Sequence, residues 1–180
     1  MFCAKDYLFI LALLSTSVCR SQNIPFTNVN PFAGEIPQIK ENNFGAGVSF
    51  FDVDEDGWDD LTLCTDSGDT RYYRNIQGTF QFSYNFKNTK NAKSCVWGDI
   101  NEDGFNDLVV TRFDAEPQLF LGFGQNSFQQ VYIGLENPFM PNVGSTGVAL
   151  GDLNRDGFLD LGIANYSYEN PNRVYINDNG

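Results

Sequence analysis

The sequence predicts an all-β protein assembled from repeated four-stranded antiparallel units. Three observations carry this. An acid-rich segment recurs three times, about every 50 residues. Short β-rich stretches and Gly/Asn turns follow each copy in the same order. No apolar stripe at helical spacing runs through the chain.

The copies are residues 47–63 (GVSFFDVDEDGWDDLTL), 94–110 (SCVWGDINEDGFNDLVV) and 147–163 (GVALGDLNRDGFLDLGI). The apolar residues ahead of each acidic loop read as a first strand. Leu61–Thr65, Leu108–Arg112 and Leu161–Asn165 read as the second, and Arg71–Arg74, Gln118–Leu121 and Arg173–Ile176 as the third. Turns are expected at Asn75–Thr79, Gly122–Ser127 and Asn177–Gly180. Phe-led fourth strands follow at Phe80–Phe86 and Phe128–Ile133. Four short strands at this period form one β-propeller blade. The spans expected are 46–93, 94–143 and 144–180, the last incomplete, within a larger propeller of about seven blades. Residues 22–45 are expected to supply an outer strand and linker. Ile24–Phe32 resembles Val131–Phe139, which places that strand in another blade.

The N-terminus reads as a secretory signal peptide over residues 1–21. Lys5 precedes an apolar run, Tyr7–Leu14, too short to span a bilayer, and Cys19 and Ser21 fit cleavage before Gln22. A lipid anchor on Cys19 is the weaker alternative. The mature chain is then expected outside the cell, without membrane insertion. A formal net charge of −12 argues against nucleic acid and anionic membranes as partners and suits cations. The absence of His removes every mechanism that needs an imidazole. Cys64 and Cys95 remain after cleavage. Both align with strand-interior positions of the other repeats, so two buried thiols are expected ahead of a disulfide.

Each loop reads D-x-[DN]-x-D-G-x-x-D. The first offers Asp52, Asp54, Asp56 and Asp60, the second Asp99, Asn101, Asp103 and Asp107, the third Asp152, Asn154, Asp156 and Asp160. Side chains at positions 1, 3 and 5 of a curling loop converge on one point. Glycine at position 6 (Gly57, Gly104, Gly157) permits the sharp turn. That turn is expected to aim the backbone carbonyls of Trp58, Phe105 and Phe158 inward, and the Asp at position 9 to close the site. All these donors are hard oxygens, which selects Ca²⁺, about three ions in all. An EF-hand is excluded, because it needs Glu at position 12, where Leu63, Val110 and Ile163 stand, and helices on both flanks. Three or four carboxylates gathered without a cation would repel strongly, so a structural ion between the first two strands of each blade is the expectation.

These loops, with the apolar strand before them and the segments Arg71–Asn75 (RYYRN) and Arg173–Asn177 (RVYIN) after them, resemble the FG-GAP/VCBS repeat family. That family forms the blades of the integrin α-chain propeller, and the likeness is greatest to the cartilage acidic protein/UnbV group. The resemblance covers roughly residues 24–180 and implies Ca²⁺ held through positions 1, 3, 5, 7 and 9.

The resemblance implies a secreted, calcium-binding module for binding or adhesion, with an extracellular protein or glycan as partner. The alternative is the non-catalytic propeller portion of a secreted polysaccharide-acting enzyme. No acid, base and nucleophile stand together outside the loops. Glu116, Glu136 and Glu169 are separate and read as solvated acids. Tyr72, Tyr73, Tyr166 and Tyr168 could stack on sugars, although packing between blades is the plainer reading. Asn165-Tyr-Ser167 is a glycosylation sequon in a eukaryotic secretory pathway.

Overall fold

The computed structural model describes residues 25–33, 46–124, 126–132, 144–166 and 171–178. Among them are eleven strands and no helix. The first sheet contains β1 (Val48–Phe51), β2 (Asp60–Leu63), β3 (Thr70–Ile76) and β4 (Thr79–Phe86). The second contains β5 (Ala92–Gly98), β6 (Asp107–Arg112), β7 (Gln118–Gly122) and β8 (Phe128–Val131). The third contains β9 (Ser145–Gly151), β10 (Asp160–Asn165) and β11 (Arg173–Tyr175). Strand order follows chain order in every sheet, and all pairings within the sheets are antiparallel. This is the up-and-down arrangement of propeller-type blades.

Register repeats from sheet to sheet. Leu61 pairs with Tyr73, Leu108 with Phe120, and Leu161 with Tyr175. Each acidic loop therefore joins the first two strands at the same height, and the residue after the third strand's aromatic is Arg74, Leu121 or Ile176.

Stacking explains the burial pattern. The second sheet has a neighbour on both faces, so β6 is buried at five consecutive residues, Asp107–Thr111, instead of alternating. In the first sheet, β1 leaves Val48 and Phe50 exposed and turns Ser49 and Phe51 inward. The first strands of successive blades adjoin, β5 packing against both β1 and β9.

The main core lies between the first two sheets. Phe86 packs edge-on against Phe120 at 5.0 Å and lies 4.9 Å from Phe128, and Trp97 stands 5.6 Å from Tyr72. The Trp97 indole N–H donates to Thr62 Oγ1 at 2.9 Å, so the buried polar edge is satisfied. Tyr72 and Tyr73 belong to the cores on either side of the first sheet, which removes both from any sugar-stacking surface. Tyr166 is 75% exposed, and Tyr168 lies outside the described residues.

Cys64 and Cys95 are free thiols inside the core. A buried pair, Lys93 Nζ to Asp66 at 2.6 Å, also joins the first two blades.

The N-terminal stretch differs from expectation. Pro31–Ala33 lies along β4 of the first blade, with Phe32 bridged parallel to Phe80, rather than in another blade. Phe80 donates its amide to Pro31 at 2.8 Å and accepts from Ala33 at 3.0 Å, and the Phe32 ring packs on Tyr73 at 5.5 Å. The free edge of β4 and the apolar face of its sheet attract an aromatic strand irrespective of sequence likeness elsewhere. The expected turn at Asn75–Thr79 is also tighter. β3 runs to Ile76, and Gln77 (φ 52°) and Gly78 (φ 91°) form a two-residue hairpin turn of the kind that favours left-handed residues. The expected signal peptide (1–21) lies outside the described residues.

Candidate metal centre

The three loops share one hydrogen-bonded frame. The carboxylate at position 1 accepts the backbone amides of positions 5 and 6, and Asp152 accepts that of Arg155 as well, at 2.6 Å. For Asp52 these are Asp56 at 3.0 Å and Gly57 at 2.9 Å, for Asp99 they are Asp103 at 3.1 Å and Gly104 at 2.9 Å, and for Asp152 they are Asp156 and Gly157, both at 3.2 Å. Position 5 then accepts the amide of position 7: Trp58 to Asp56 at 3.0 Å, Phe105 to Asp103 and Phe158 to Asp156 at 2.9 Å. The turn needs left-handed backbone at two places. Glycine supplies position 6, with φ of 89°, 87° and 101° at Gly57, Gly104 and Gly157. Position 4 is left-handed as well, at Glu55 (φ 58°), Glu102 (φ 56°) and Arg155 (φ 64°), without glycine.

Position 9 lies at the base of the loop. Asp60, Asp107 and Asp160 are each at most 1% exposed. One oxygen of each accepts the amide of position 2: Val53 at 3.2 Å, Ile100 at 2.9 Å, Leu153 at 2.7 Å. The other accepts the amide that follows the third strand's Arg74, Leu121 or Ile176. These amides are Asn75 at 2.7 Å, and Gly122 and Asn177 at 2.9 Å. These carboxylates clamp loop to sheet. Burial holds the Asp60 and Asp107 carboxyls above the ordinary carboxylate value, while the hydrogen bonds they accept pull back down. At Gly122 a side chain would meet the Asn106 carbonyl at 2.4 Å, so only glycine allows the approach in the second blade.

The loops are also stitched to one another. Asn106 Nδ2 donates to the Val53 carbonyl at 3.0 Å, and Asn177 Nδ2 to the Ile100 carbonyl at 2.9 Å.

In the first loop, oxygens of Asp52, Asp54 and Asp56 lie within 4.8 Å of one another, a group that could hold a metal ion. Both Asp54 oxygens are buried without a hydrogen bond. The Arg74 guanidinium stands beside them, Nε in ion contact with Asp54 and NH2 3.2 Å from Asp56 Oδ2. A cation is thus already drawn to the point where the carboxylates converge, and the all-oxygen donor set suits a hard ion. In the second and third loops, Asn101 and Asn154 stand at position 3 and donate Nδ2 to the position 5 carboxylate, at 3.0 Å and 2.7 Å. Positions 1, 3 and 5 therefore converge in all three loops. Position 9 approaches from below, with both oxygens engaged, and position 7 faces the site with its amide.

Stacked antiparallel sheets with an acidic loop between the first two strands of each define a propeller-type repeat protein. The chain belongs to the FG-GAP-like repeat family, whose profile matches residues 52–110 and 99–163, each match opening on the first acid of a loop. Repeats of this family are generally structural, non-catalytic modules. No curated protein matches the chain at a significant level. Among the described residues no helix is long and apolar enough to cross a membrane.

Proposed function

We propose that this chain is the calcium-dependent propeller portion of a secreted protein, and that it serves as an extracellular binding or adhesion module for a protein or glycan. The observation that carries the reading is the convergence of Asp52, Asp54 and Asp56, with the same frame rebuilt around Asp99, Asn101 and Asp103 and around Asp152, Asn154 and Asp156. The role of the ion is structural. Bound Ca²⁺ supplies positive charge where position 1, 3 and 5 oxygens meet. The chain's own residues do the rest: position 1 orders the turn, position 9 ties it to β3, to β7 or to Asn177 just past β11, and the Asn stitches carry that order to the neighbouring blade.

Extracellular modules bind Ca²⁺ with Kd of about 10⁻⁴ to 10⁻³ M. At ~1 mM calcium and a Kd of ~10⁻⁴ M, each site contributes roughly 1.4 kcal/mol. Three such sites supply roughly 4 kcal/mol against a typical stability of about 5–15 kcal/mol. Calorimetric titration of the chelated chain with calcium chloride tests this directly. Binding of about three ions supports the reading, and no heat beyond dilution sinks it.

A further inference from the structure

The first loop departs from the other two at two positions that touch each other. Position 3 is Asp54, where the others have Asn101 and Asn154, and the residue after the third strand's aromatic is Arg74, where the others have Leu121 and Ile176. Asn101 and Asn154 each donate an N–H to the position 5 carboxylate. Asp54 cannot donate, and Arg74 NH2 makes that contact to Asp56 instead. The exchange also balances charge. The extra carboxylate at position 3 of the first loop is matched by one guanidinium, so that positions 1, 3, 5 and 9, with Arg74 counted in the first loop, carry the same net charge in all three.

We propose that Arg74 is a tethered counter-cation of the first loop, which holds that loop closed without calcium and must leave before calcium binds there. The inference rests on the calcium reading above. Arg74 has somewhere to go: its side chain lines a cavity between the first two blades, walled by Asp54, Gly104, Phe105, Asn126 and Phe128. Calcium displaces a planar, weakly hydrated cation that contacts two of the loop's carboxylates. The first site is therefore the weakest of the three and the one that keeps its shape when calcium falls. Loops two and three rely on the ion.

The chain carries its own probe. Trp58 sits at position 7 of the first loop, and the other tryptophan, Trp97, is buried in the core. Trp97 stands two residues before Asp99 of the second loop, so the part of the terbium luminescence that Trp58→Phe removes is the part that reports the first loop. Metal-free full chain would be titrated with terbium chloride for the wild type, R74L and the R74L/D54N double variant, which rebuilds the second loop's pattern. Thermal melts in chelator would accompany each titration.

R74L is expected to lower the terbium midpoint at the first loop by about three- to tenfold and to lower the melting temperature in chelator. The double variant is expected to recover the chelated melt, because Asn at position 3 restores the lost donor. Equal terbium midpoints in wild type and R74L, with binding intact, would overturn the Arg74 proposal and leave the calcium reading standing. Absence of terbium and calcium binding in both would overturn the two together. If R74L fails to fold, the double variant decides: absence of a cooperative melt in chelator for the double variant as well contradicts the counter-cation role.

Discussion

The Tyr72 hydroxyl donates to Asp60 Oδ2 at 2.6 Å, inside the core between the first two blades. The contact is particular to the first blade, because the register places Leu119 and Val174 at the equivalent positions. Burial first, and then the Asp60 carboxylate, push the Tyr72 hydroxyl far above its usual range, so it stays a donor at every accessible pH. Tyr72→Phe keeps the ring against Trp97 and removes only the hydroxyl. A loss of about 1–3 kcal/mol is expected in chemical denaturation, because Asp60 keeps its burial and loses a partner.

The position 9 clamps predict a sharp contrast within one loop. Asp107→Ala orphans the amides of Ile100 and Gly122 in a buried setting. It is expected to cost about 2–5 kcal/mol with or without calcium. Asp103→Ala, at the exposed tip, is expected to cost under about 1 kcal/mol in chelator and to remove calcium stabilisation from its loop. Denaturation of both variants in calcium and in chelator checks the pair.

Acid should act in opposite directions with and without the ion. Burial raises the Asp60 and Asp107 carboxyls in the folded chain above 3.8, the ordinary value. The folded chain then keeps protons that the unfolded chain has released. The stability these groups contribute is full below the unfolded value and is lost as pH rises through the folded one. In chelator, the melting temperature is expected to fall as pH rises above the ordinary carboxylate value. With calcium it is expected to rise as pH rises through the same region, because the ligands must be ionised to hold the ion.

Cys64 and Cys95 should resist modification. Contact with the Cys64 thiol, followed by burial, pushes the Cys95 thiol well above its ordinary value. Both side chains are shielded in the core. Alkylation at neutral pH is expected to follow global unfolding, which a labelling time course in increasing denaturant would show.

Much of this was legible in the sequence because it depends on local alternation and on spacing. The three acidic loops, the strands after them and their antiparallel order follow from residues close in the chain. Less legible were contacts set by register between strands. Nothing in Arg74 itself announces that it reaches Asp54 and Asp56, some 20 positions earlier; only alignment of the third strands shows Leu121 and Ile176 in its place. The left-handed backbone at Glu55, Glu102 and Arg155 left no signal, since residues of ordinary preference occupy it and the frame of amides enforces it. Position 9 looked like a closing ligand, and the structure shows what spacing could not, that both its oxygens accept backbone amides. The sequon at Asn165 likewise gave no hint that its side chain is engaged, donating Nδ2 to the Pro171 carbonyl at 2.8 Å and accepting from Ser145 at 3.0 Å.

The central claim is that calcium holds the loops that hold the blades. The most direct test is a thermal melt of the chain in millimolar calcium, in excess chelator and in magnesium. A cooperative melt raised by several degrees in calcium alone is predicted, since roughly 4 kcal/mol of linkage is at stake. A cooperative melt at the same temperature in all three conditions would contradict it.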